Sequence, residues 1–472
     1  MSYSENFFSN NDEQRFDDKE IQDKVNTCKE IVLTGQTFSY LENIEETIEI
    51  CLEYDFVEDG IYLCEAVLEV TPYNSEVWQF KGMFLNNKFD FENAYDAFNK
   101  ALSLNPNDVE SLINKSIAEE NLNLDEDALE TLQKALSLEP GNEEILFSLG
   151  LLYERQEKYR DATEYFKKSI DADPTYSEAW YELGYCFESI DELDEALKVY
   201  EKFLELEPHS PTGWYNKGIV QIRMGEFANS SDSFELSIAL KDDFASSWFN
   251  LGVAYANMNK INESLKAFRK AAEIDPYDES IFLNIGQAYE DLSDLNMAIK
   301  NYTKSIELDE GYYEAYLARG YCYDMLGKYR LALRDFNKAI SITTNPTDAW
   351  SAKADLEYSL GHLQDSINCY INAIESDNKN FNAWFKLAET YIEVGSWLDA
   401  LAAFEECLNL RNDHANSYYG KAKIFFLLNR TSEAIACLKS AFNLDPTIRN
   451  DFAKEYPEVK TSKLFNKLIQ EN

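Results

Sequence analysis

Residues 177–210 are SEAWYELGYCFESIDELDEALKVYEKFLELEPHS, and residues 211–244, PTGWYNKGIVQIRMGEFANSSDSFELSIALKDDF, repeat their pattern. Both stretches have tryptophan at position 4, glycine at position 8, a small residue at position 20 and an aromatic residue at position 24. The spacings 4, 8, 11 and 20, 24, 27 each follow one face of a helix. Each stretch therefore predicts two amphipathic helices.

Proline shows how far this pattern extends. Pro72, Pro106, Pro140, Pro174 and Pro208 share one register, and Pro276 and Pro446 return to it without any insertion or deletion. A fixed period is a sign of a repeat architecture and overrides a domain count based on length. Eleven consecutive units begin at Ser75, Val109, Glu143, Ser177, Pro211, Ala245, Glu279, Tyr313, Thr347, Phe381 and Ala415.

Helix ends are also visible in the sequence. Position 15 is glycine or asparagine in seven units, and both residues tolerate the left-handed conformation of a helix stop. These residues are Gly225, Gly327, Gly361, Gly395, Asn123, Asn259 and Asn429. Proline near position 32 is predicted to stop the second helix, because it lacks an N–H and restricts the preceding residue.

This pattern resembles the tetratricopeptide repeat (TPR). The resemblance implies an all-α fold, an α-α superhelix in the form of a right-handed TPR solenoid. On this basis residues 75–448 are predicted to hold eleven tandem repeats, residues 41–74 a degenerate first repeat, and residues 449–472 a C-terminal capping helix. Residues 1–40 form an acidic N-terminal segment that we expect to be partly disordered.

Composition limits the class of function. The net charge of −43 argues against direct binding of nucleic acid or an anionic membrane, and there is no long uncharged apolar tract for membrane insertion. Eight scattered cysteines form no CxxC pair, and the three histidines lie far apart in phase. We therefore expect no metal, no cofactor, no catalytic site and no enzymatic activity. Because Met1 to Glu20 contains no apolar run, we expect a cytoplasmic protein.

The resemblance also implies a binding groove lined by the first helices through positions 2, 5, 6, 9, 12 and 13. These positions hold sixteen acidic side chains but only four basic ones, Arg155, Arg223, Lys386 and Lys423. Such a groove is expected to attract cationic segments. The acidic residues we select as candidates for peptide binding are Glu144, Glu178, Glu182, Asp324 and Asp355.

Asparagine and aromatic residues complete the candidate site. Asn216, Asn250 and Asn284 form a run at position 6, and in this family such a ladder holds the backbone of an extended peptide. The alternative is that asparagine is simply common there. The candidate aromatic residues are Phe147, Tyr181, Tyr215, Phe249 and Phe385 at position 5 and Tyr185 and Tyr321 at position 9. They suit either anchoring of ligand side chains or packing between repeats.

Together these features favour a non-enzymatic scaffold or adaptor. We expect it to bind a basic or neutral protein or peptide segment in an acidic, aromatic-lined concave groove. The alternative is a self-assembling structural protein or a subunit of a larger complex, in which the groove or the acidic tail docks on another copy.

Overall fold

The computed structural model describes residues 18–456. Within this range there are 26 α-helices and no β-strand, so the prediction of an all-α fold built from paired helices is confirmed. The chain divides into two compact units, Met1–Leu240 (unit 1) and Lys241–Asn472 (unit 2).

Unit 1 contains thirteen of these helices and a short 3-10 turn at Thr37–Tyr40. The helices are α1 Asp18–Leu33, α2 Leu41–Glu53, α3 Val57–Val70, α4 Ser75–Asn87, α5 Phe91–Leu104, α6 Val109–Asn121, α7 Asp125–Leu138, α8 Glu143–Arg155, α9 Tyr159–Ala172, α10 Ser177–Ser189, α11 Leu193–Leu206, α12 Pro211–Arg223 and α13 Phe227–Leu240.

Unit 2 contains the other thirteen helices of the described range. They are α14 Ala245–Asn257, α15 Ile261–Ile274, α16 Glu279–Asp291, α17 Leu295–Leu308, α18 Tyr313–Met325, α19 Tyr329–Ile342, α20 Thr347–Ser359, α21 Leu363–Ser376, α22 Phe381–Glu393, α23 Trp397–Leu410, α24 Ala415–Leu427, α25 Thr431–Leu444 and α26 Ile448–Glu455.

Every hairpin from α4 to α25 has the same internal plan. The first helix begins at position 1 of the sequence unit and ends at position 13, and the second covers positions 17 to 30. Position 15, between the two helices, has positive φ in all eleven repeats, and this conformation ends the first helix. Asp55 has the same conformation in the hairpin of α2 and α3.

The core of each hairpin joins position 8 to position 24. A Cβ built on Gly150 would lie 2.4 Å from Cε1 of Phe166, and a Cβ on Gly184 would lie 2.7 Å from Cε1 of Tyr200. Phe166 and Tyr200 are themselves fully buried. In these two repeats glycine fits position 8 because the large ring of the second helix lies directly on the backbone of the first.

In several repeats, tryptophan at position 4 connects the first helix to the turn before it. The indole N–H of Trp180 donates to the carbonyl oxygen of Pro174 at 3.0 Å, and that of Trp214 donates to Pro208 at the same distance. Trp78 and Trp384 donate in the same way to Pro72 and Asn378. The tryptophans at position 4 thus donate hydrogen bonds to turn carbonyls in addition to their packing.

The ends of the chain differ from the regular repeats. The sequence gives no sign of α1, yet Ile21, Val25 and Cys28 of this helix are buried against α2 and α3. At the other end, Phe452 of α26 is buried beside Tyr419 and Phe442. Residues 1–17 and the rest of the predicted capping helix, 457–472, lie outside the described residues.

Candidate functional site

We call the side chains at positions 2, 5, 6, 9, 12 and 13 of the first helices the first-helix face, and describe it separately in each unit. In unit 1, Glu144 is exposed, while Glu178 and Glu182 are half-buried. Burial raises the pKa of Glu182 to about 7, and that of Glu144 is also raised, first by burial and then by Glu143 and Glu110. Of the predicted acids of unit 1, Glu182 is therefore the one that burial affects most clearly.

Aromatic residues at position 5 contact the position-24 ring of their own repeat. In unit 1, the ring centroid of Phe147 lies 5.6 Å from that of Phe166, and Tyr215 lies 5.9 Å from Phe234. Tyr181 lies 6.2 Å from Tyr200. These rings contribute to packing and keep part of their surface accessible. Their contact with a ligand stays a prediction.

Tyr185, at position 9, is more accessible. Its side chain is 41% exposed, and its ring lies 6.3 Å from that of Tyr159 in an edge-on arrangement. The negative charge of Glu154 adds to the raised pKa of Tyr159, after larger effects of burial and Tyr185. The Tyr159 side of this aromatic pair therefore experiences negative charge from Glu157 and Glu154.

The three predicted ladder asparagines belong to different units and have different partners. In unit 1, Nδ2 of Asn216 donates to the Tyr181 hydroxyl at 3.0 Å. In unit 2, Nδ2 of Asn250 and of Asn284 donate to the carbonyl oxygens of Ser246 and Ser280, each at 2.9 Å. Their amide donors are thus engaged within the chain, and backbone recognition by these residues stays a prediction.

Unit 2 places the remaining predicted residues on its own first helices. Asp324 is half-buried, and burial together with the charge of Asp355 raises its pKa. Asp355 accepts a hydrogen bond from the Tyr370 hydroxyl at 2.5 Å. Tyr321 is 41% exposed, and burial followed by Asp355 raises its pKa to about 12.

Two phenylalanines of the predicted set pack within unit 2. Phe249 lies 5.6 Å from Phe268, measured between ring centroids, and Phe385 lies 5.8 Å from Phe404. His414 adds an edge contact to Phe385 at 5.2 Å. Both phenylalanines therefore have a structural role in addition to any role in binding.

Position 12 is glutamate in three successive repeats of unit 1, and an arginine of the following repeat interacts with two of these glutamates. Arg223, at position 13 of α12, pairs with Glu188 of the preceding repeat, with an Nη1–Oε1 distance of 3.2 Å, and with Asp191, with an Nη2–Oδ1 distance of 2.7 Å. Arg155, at position 13 of α8, donates to Oδ1 of Asn123 at 2.9 Å. Its charge limits the rise that burial causes in the pKa of Glu120, which reaches about 7.

Glu154 is the third glutamate of this column and has no such arginine. The residue at position 13 of the next repeat is Ser189, which is too short and carries no charge. Within residues 18–456, Glu154 forms no ion pair and receives one weak hydrogen bond, from Sγ of Cys186 at 3.9 Å. Burial, and then the negative charge of Glu182, raises the pKa of Glu154 to about 8.

Tyr200 adds an unsatisfied polar group in the same region. Its side chain is completely buried, and in the described part of the chain its hydroxyl has no hydrogen bond of ordinary geometry, the Asn216 side chain being the polar group that interacts with it. Burial raises its pKa well above the ordinary value, the charges of Glu188 and Glu182 raise it further, and the side chain of Asn216 opposes this rise. In unit 2 the equivalent Tyr302 donates to Oε2 of Glu290 at 2.8 Å.

Glu182 is among the site residues predicted from the sequence, whereas Glu154, Glu157 and Tyr200 are not. Their signal lay in the alignment of units: position 13 is arginine in the repeats after Glu120 and Glu188, and serine in the repeat after Glu154. Only the structure shows that position 13 reaches back to positions 12 and 15 of the preceding repeat.

One group of side chains in unit 2 has the composition of a metal site. The ligand atoms of Glu357, His362 and Asp365 lie within 4.8 Å of one another. Nδ1 of His362 is 2.8 Å from Oε2 of the buried Glu357, so a hydrogen bond accounts for the proximity of these two groups. His362 and Asp365 are exposed to water.

Family models of the tetratricopeptide repeat match most of the repeated region. Three models described as Tetratricopeptide repeat match residues 75–108, 147–211, 245–278, 279–312, 313–346 and 415–448, and a fourth, described as TPR repeat, matches 354–395. The chain belongs to the tetratricopeptide-repeat family. Within residues 18–456, no helix of this TPR protein combines the length and apolar character needed to cross a membrane.

Several solved structures match this TPR protein. MamA is 26% identical with a TM-score of 0.34, covering 34% of this chain and 95% of MamA. The APC/C hetero-tetramer Cut9–Hcn1 is 16% identical with a TM-score of 0.39, covering 88% and 95%. YrrB, described as a TPR protein with an unusual peptide-binding site, is 24% identical with a TM-score of 0.35, covering 40% and 98%. Comparison with curated proteins finds no match.

Proposed function

We propose that this TPR protein is a non-enzymatic scaffold that binds a segment of another polypeptide on its acidic first-helix face. The observation that carries the proposal is the state of the carboxylates in unit 1. Glu182 is half-buried with a raised pKa, and within residues 18–456 it has neither an ion pair nor a hydrogen bond. Desolvated carboxylates without a cation destabilise a fold, and a partner that supplies positive charge removes this penalty.

The aromatic residues support the same proposal. Tyr185 and Tyr321 occupy position 9 in the two units, and each is 41% exposed beside acidic groups. An accessible tyrosine ring provides apolar contact area and favours a nearby cation. The ligand that fits this surface is a polypeptide carrying Lys or Arg among neutral and apolar residues. We infer that the protein acts in the cytoplasm, where such partners are available in the reduced environment that its free thiols suit.

Affinity purification from the native cell, followed by mass spectrometry, tests this function. One variant neutralises three acids of the first-helix face, Glu144→Gln, Glu178→Gln and Asp324→Asn. The matched control neutralises three exposed acids of second helices, Glu130→Gln, Glu164→Gln and Glu307→Gln. We expect the first variant to lose partners that the control retains.

Equal recovery of every partner by the two variants would contradict the proposal. Light scattering of the purified wild-type chain distinguishes the scaffold from the alternative of a self-assembling protein. A defined oligomer that dissociates in the first variant and not in the control favours self-assembly through this face. A monomer whose partners are captured from the cell supports the scaffold.

A further inference from the structure

The part of the chain that the structure describes ends on the first-helix face of unit 2. Oε2 of Glu455, in the last turn of α26, accepts a hydrogen bond from the Tyr419 hydroxyl at 2.6 Å and pairs with Nζ of Lys423 at 2.8 Å. Tyr419 and Lys423 are at positions 5 and 9 of α24, so both belong to that face. The chain therefore leaves α26 beside a surface on which we propose that a partner binds.

The same side of α24 continues to an exposed apolar residue. Leu427 follows Lys423 by four residues, which places it one turn further along the same side of the helix. It is at position 13 of its repeat and is 53% exposed. An exposed leucine thus lies about one helical pitch, roughly 5.4 Å, from the residue that Glu455 contacts.

The neighbouring first helix, α22, supplies carboxylates at the equivalent positions. α22 and α24 contact each other, and Glu389 and Glu393 are at positions 9 and 13 of α22. Glu393 is exposed and forms no ion pair within residues 18–456. Glu389 pairs with Lys386 of its own helix, at 3.4 Å. An acidic part of the face therefore lies beside its apolar part.

Residues 457–472 carry groups that complement this surface. Their sequence is PEVKTSKLFNKLIQEN, with lysine at 460, 463 and 467 and large apolar residues at 464, 465, 468 and 469. This spacing predicts an amphipathic helix with the lysines and the apolar residues on different sides. The three lysines outnumber the two glutamates of the segment, whereas the whole chain has 86 acidic and 43 basic residues.

α26 offers this segment little apolar surface. It already covers the core of the last repeat, where Tyr419, Phe442 and Phe452 are buried. The exposed residues of α26 are all polar: Asn450, Asp451, Lys454 and Glu455. The apolar side chains of the segment therefore bury more apolar area on Leu427 than on the outer surface of α26.

The segment is long enough to cross the face. Packed helices are about 8–10 Å apart. Its sixteen residues span about 24 Å as a helix, and more when they are extended. Residues 457–472 therefore reach from Glu455 across α24 to α22.

We propose that residues 457–472 fold back onto the first-helix face of unit 2 and compete there with the partner polypeptide. Their apolar residues cover Leu427, and their lysines pair with Glu389 and Glu393. The segment has the basic and apolar chemistry of the partner proposed above. The competition rests on the proposed function, whereas the docking of the segment does not, and the two are tested separately.

Zero-length cross-linking of the full-length chain tests the docking. A carbodiimide joins lysine amines to carboxylates in contact with them, and mass spectrometry identifies the joined residues. A mixture of isotope-labelled and unlabelled chains separates links within one chain from links between two copies. We expect links within one chain from Lys460, Lys463 or Lys467 to Glu389 or Glu393.

Leu427→Gln tests the apolar contact without removing either linked group. Leu398→Gln is the matched control, because Leu398 is 72% exposed on the second helix α23. We expect Leu427→Gln to reduce the yield of these links by about threefold or more, since the docked segment loses apolar burial, and Leu398→Gln to leave the yield unchanged. No link from the segment to the face, links between copies only, or equal yields in the two variants would overturn the proposal.

A labelled peptide with the sequence of residues 457–472 tests whether the face is already occupied. The lysine variant changes all three lysines of the segment to glutamine in the full-length chain. Its matched control makes the same change in net charge at exposed lysines of second helices in unit 2, Lys266→Gln, Lys300→Gln and Lys304→Gln.

We expect the peptide to bind the lysine variant about tenfold more tightly than it binds the wild type or the control. The reason is that the apparent affinity falls in proportion to the fraction of chains whose face is free. Equal affinity for all three chains would overturn occupation of the face by the segment.

Partner capture from the cell separates this inference from the proposed function. Higher recovery of partners by the lysine variant than by its control supports the competition, and equal recovery would overturn it. Partners that depend on the face, without any link from the segment, would remove this inference and leave the scaffold intact. Links within one chain, without any partner that depends on the face, would confirm the docking and contradict both the competition and the proposed function.

Discussion

Arg223 of α12 is paired with Glu188 of the preceding first helix, with 3.2 Å between Nη1 and Oε1. The pair links two neighbouring repeats of unit 1, and Arg223 continues to Asp191 in the turn beyond Glu188. Burial raises the pKa of Glu188, and both the charge and the hydrogen bond of Arg223 oppose that rise. The arginine thus favours the ionised form of a partly buried carboxylate.

Replacing this arginine should have a small effect on stability and a clear effect on titration. In Arg223→Gln we expect a loss of about 1 kcal/mol or less, because 37% of the arginine side chain is exposed and solvent screens the pair. The pKa of Glu188 should rise, as measured by NMR titration of the carboxyl carbon. An unchanged pKa would show that Arg223 does not stabilise the Glu188 charge.

The unpaired Glu154 predicts an unusual dependence of stability on pH. Its folded pKa, about 8, is above the ordinary value of 4.5, so the folded chain holds a proton that the unfolded chain releases. This contribution is fully present below the unfolded pKa and is lost as the pH rises through the folded pKa. Glu182, with a pKa raised to about 7, acts in the same direction.

Thermal melts of the full chain between pH about 5 and 8.5 measure this linkage. We expect Glu154→Gln to melt at a temperature that falls less over this range than that of the wild type. Glu164→Gln, a change at an exposed residue of α9, serves as control and should reproduce the wild-type slope. Parallel curves for all three chains would contradict the raised pKa of Glu154.

Two equivalent tyrosines should respond differently to loss of the hydroxyl. The hydroxyl of Tyr302 donates to Glu290 at 2.8 Å, whereas that of Tyr200 is buried without a hydrogen bond of ordinary geometry and interacts only weakly with Asn216. We expect Tyr302→Phe to reduce the free energy of unfolding by about 1–2 kcal/mol, and Tyr200→Phe to leave it unchanged or slightly higher. Urea unfolding of the two variants makes the comparison, and an equal loss in both would show that Tyr200 has an unrecognised partner.

The paired helices could be predicted from the sequence because residues of the same kind recur at the same positions of successive repeats. Glycine at position 8 and a ring at position 24 recur in phase, and the structure brings Gly184 against Tyr200 as such spacing requires. α1 was not predicted, because a single helix of unit 1 outside the repeat has no column with which to compare it. Its buried residues Ile21, Val25 and Cys28 form too short a stripe to be distinctive.

The candidate site was less accessible to sequence analysis. A count of acids found Glu182, but the state of Glu154 depends on which residue of the next repeat reaches it. This contact between neighbouring repeats joins residues about one period apart and is set by packing. The sequence alone therefore did not show that position 13, which is Ser189 in one repeat and Arg223 in the next, contacts the glutamate of the preceding repeat. The asparagine ladder and the aromatic anchors stay predictions, because the structure shows their internal contacts and contains no ligand.

Helix stops at position 15 show the same limit and give a further prediction. Glycine and asparagine signal this conformation, yet Ser293 adopts φ 60° in the same position, as Gly327 adopts φ 69° in the next repeat. A non-glycine residue in the left-handed region costs roughly 1 kcal/mol. We expect Ser293→Gly to stabilise unit 2 by up to about 1 kcal/mol and Gly327→Ser to destabilise it by a similar amount. Hydrogen exchange of α16 and α18 measures both, and shifts of the same sign would contradict the argument.

The contact between Gly150 and Phe166 provides a test of the core. A Cβ at Gly150 would lie 2.4 Å from Cε1 of the phenylalanine, so Gly150→Ala should destabilise unit 1 by about 1–3 kcal/mol through overpacking. Gly141→Ala is the control, because a Cβ there meets nothing within 4 Å. The repeat that begins at Val109 already contains the larger Ser116 at position 8 and the smaller Leu132 at position 24.

The second change, Phe166→Leu, should therefore relieve the first. Alone, it removes ring contacts from a filled core and lowers stability. In the double variant the new methyl group occupies space that the ring has left. The repeat with Ser116 and Leu132 has the same combination of a larger residue at position 8 and a smaller one at position 24. We expect the double variant to be more stable than the sum of the single losses predicts, by more than about 0.5 kcal/mol. Simple additivity in urea unfolding would mean that the ring does not determine the residue at position 8.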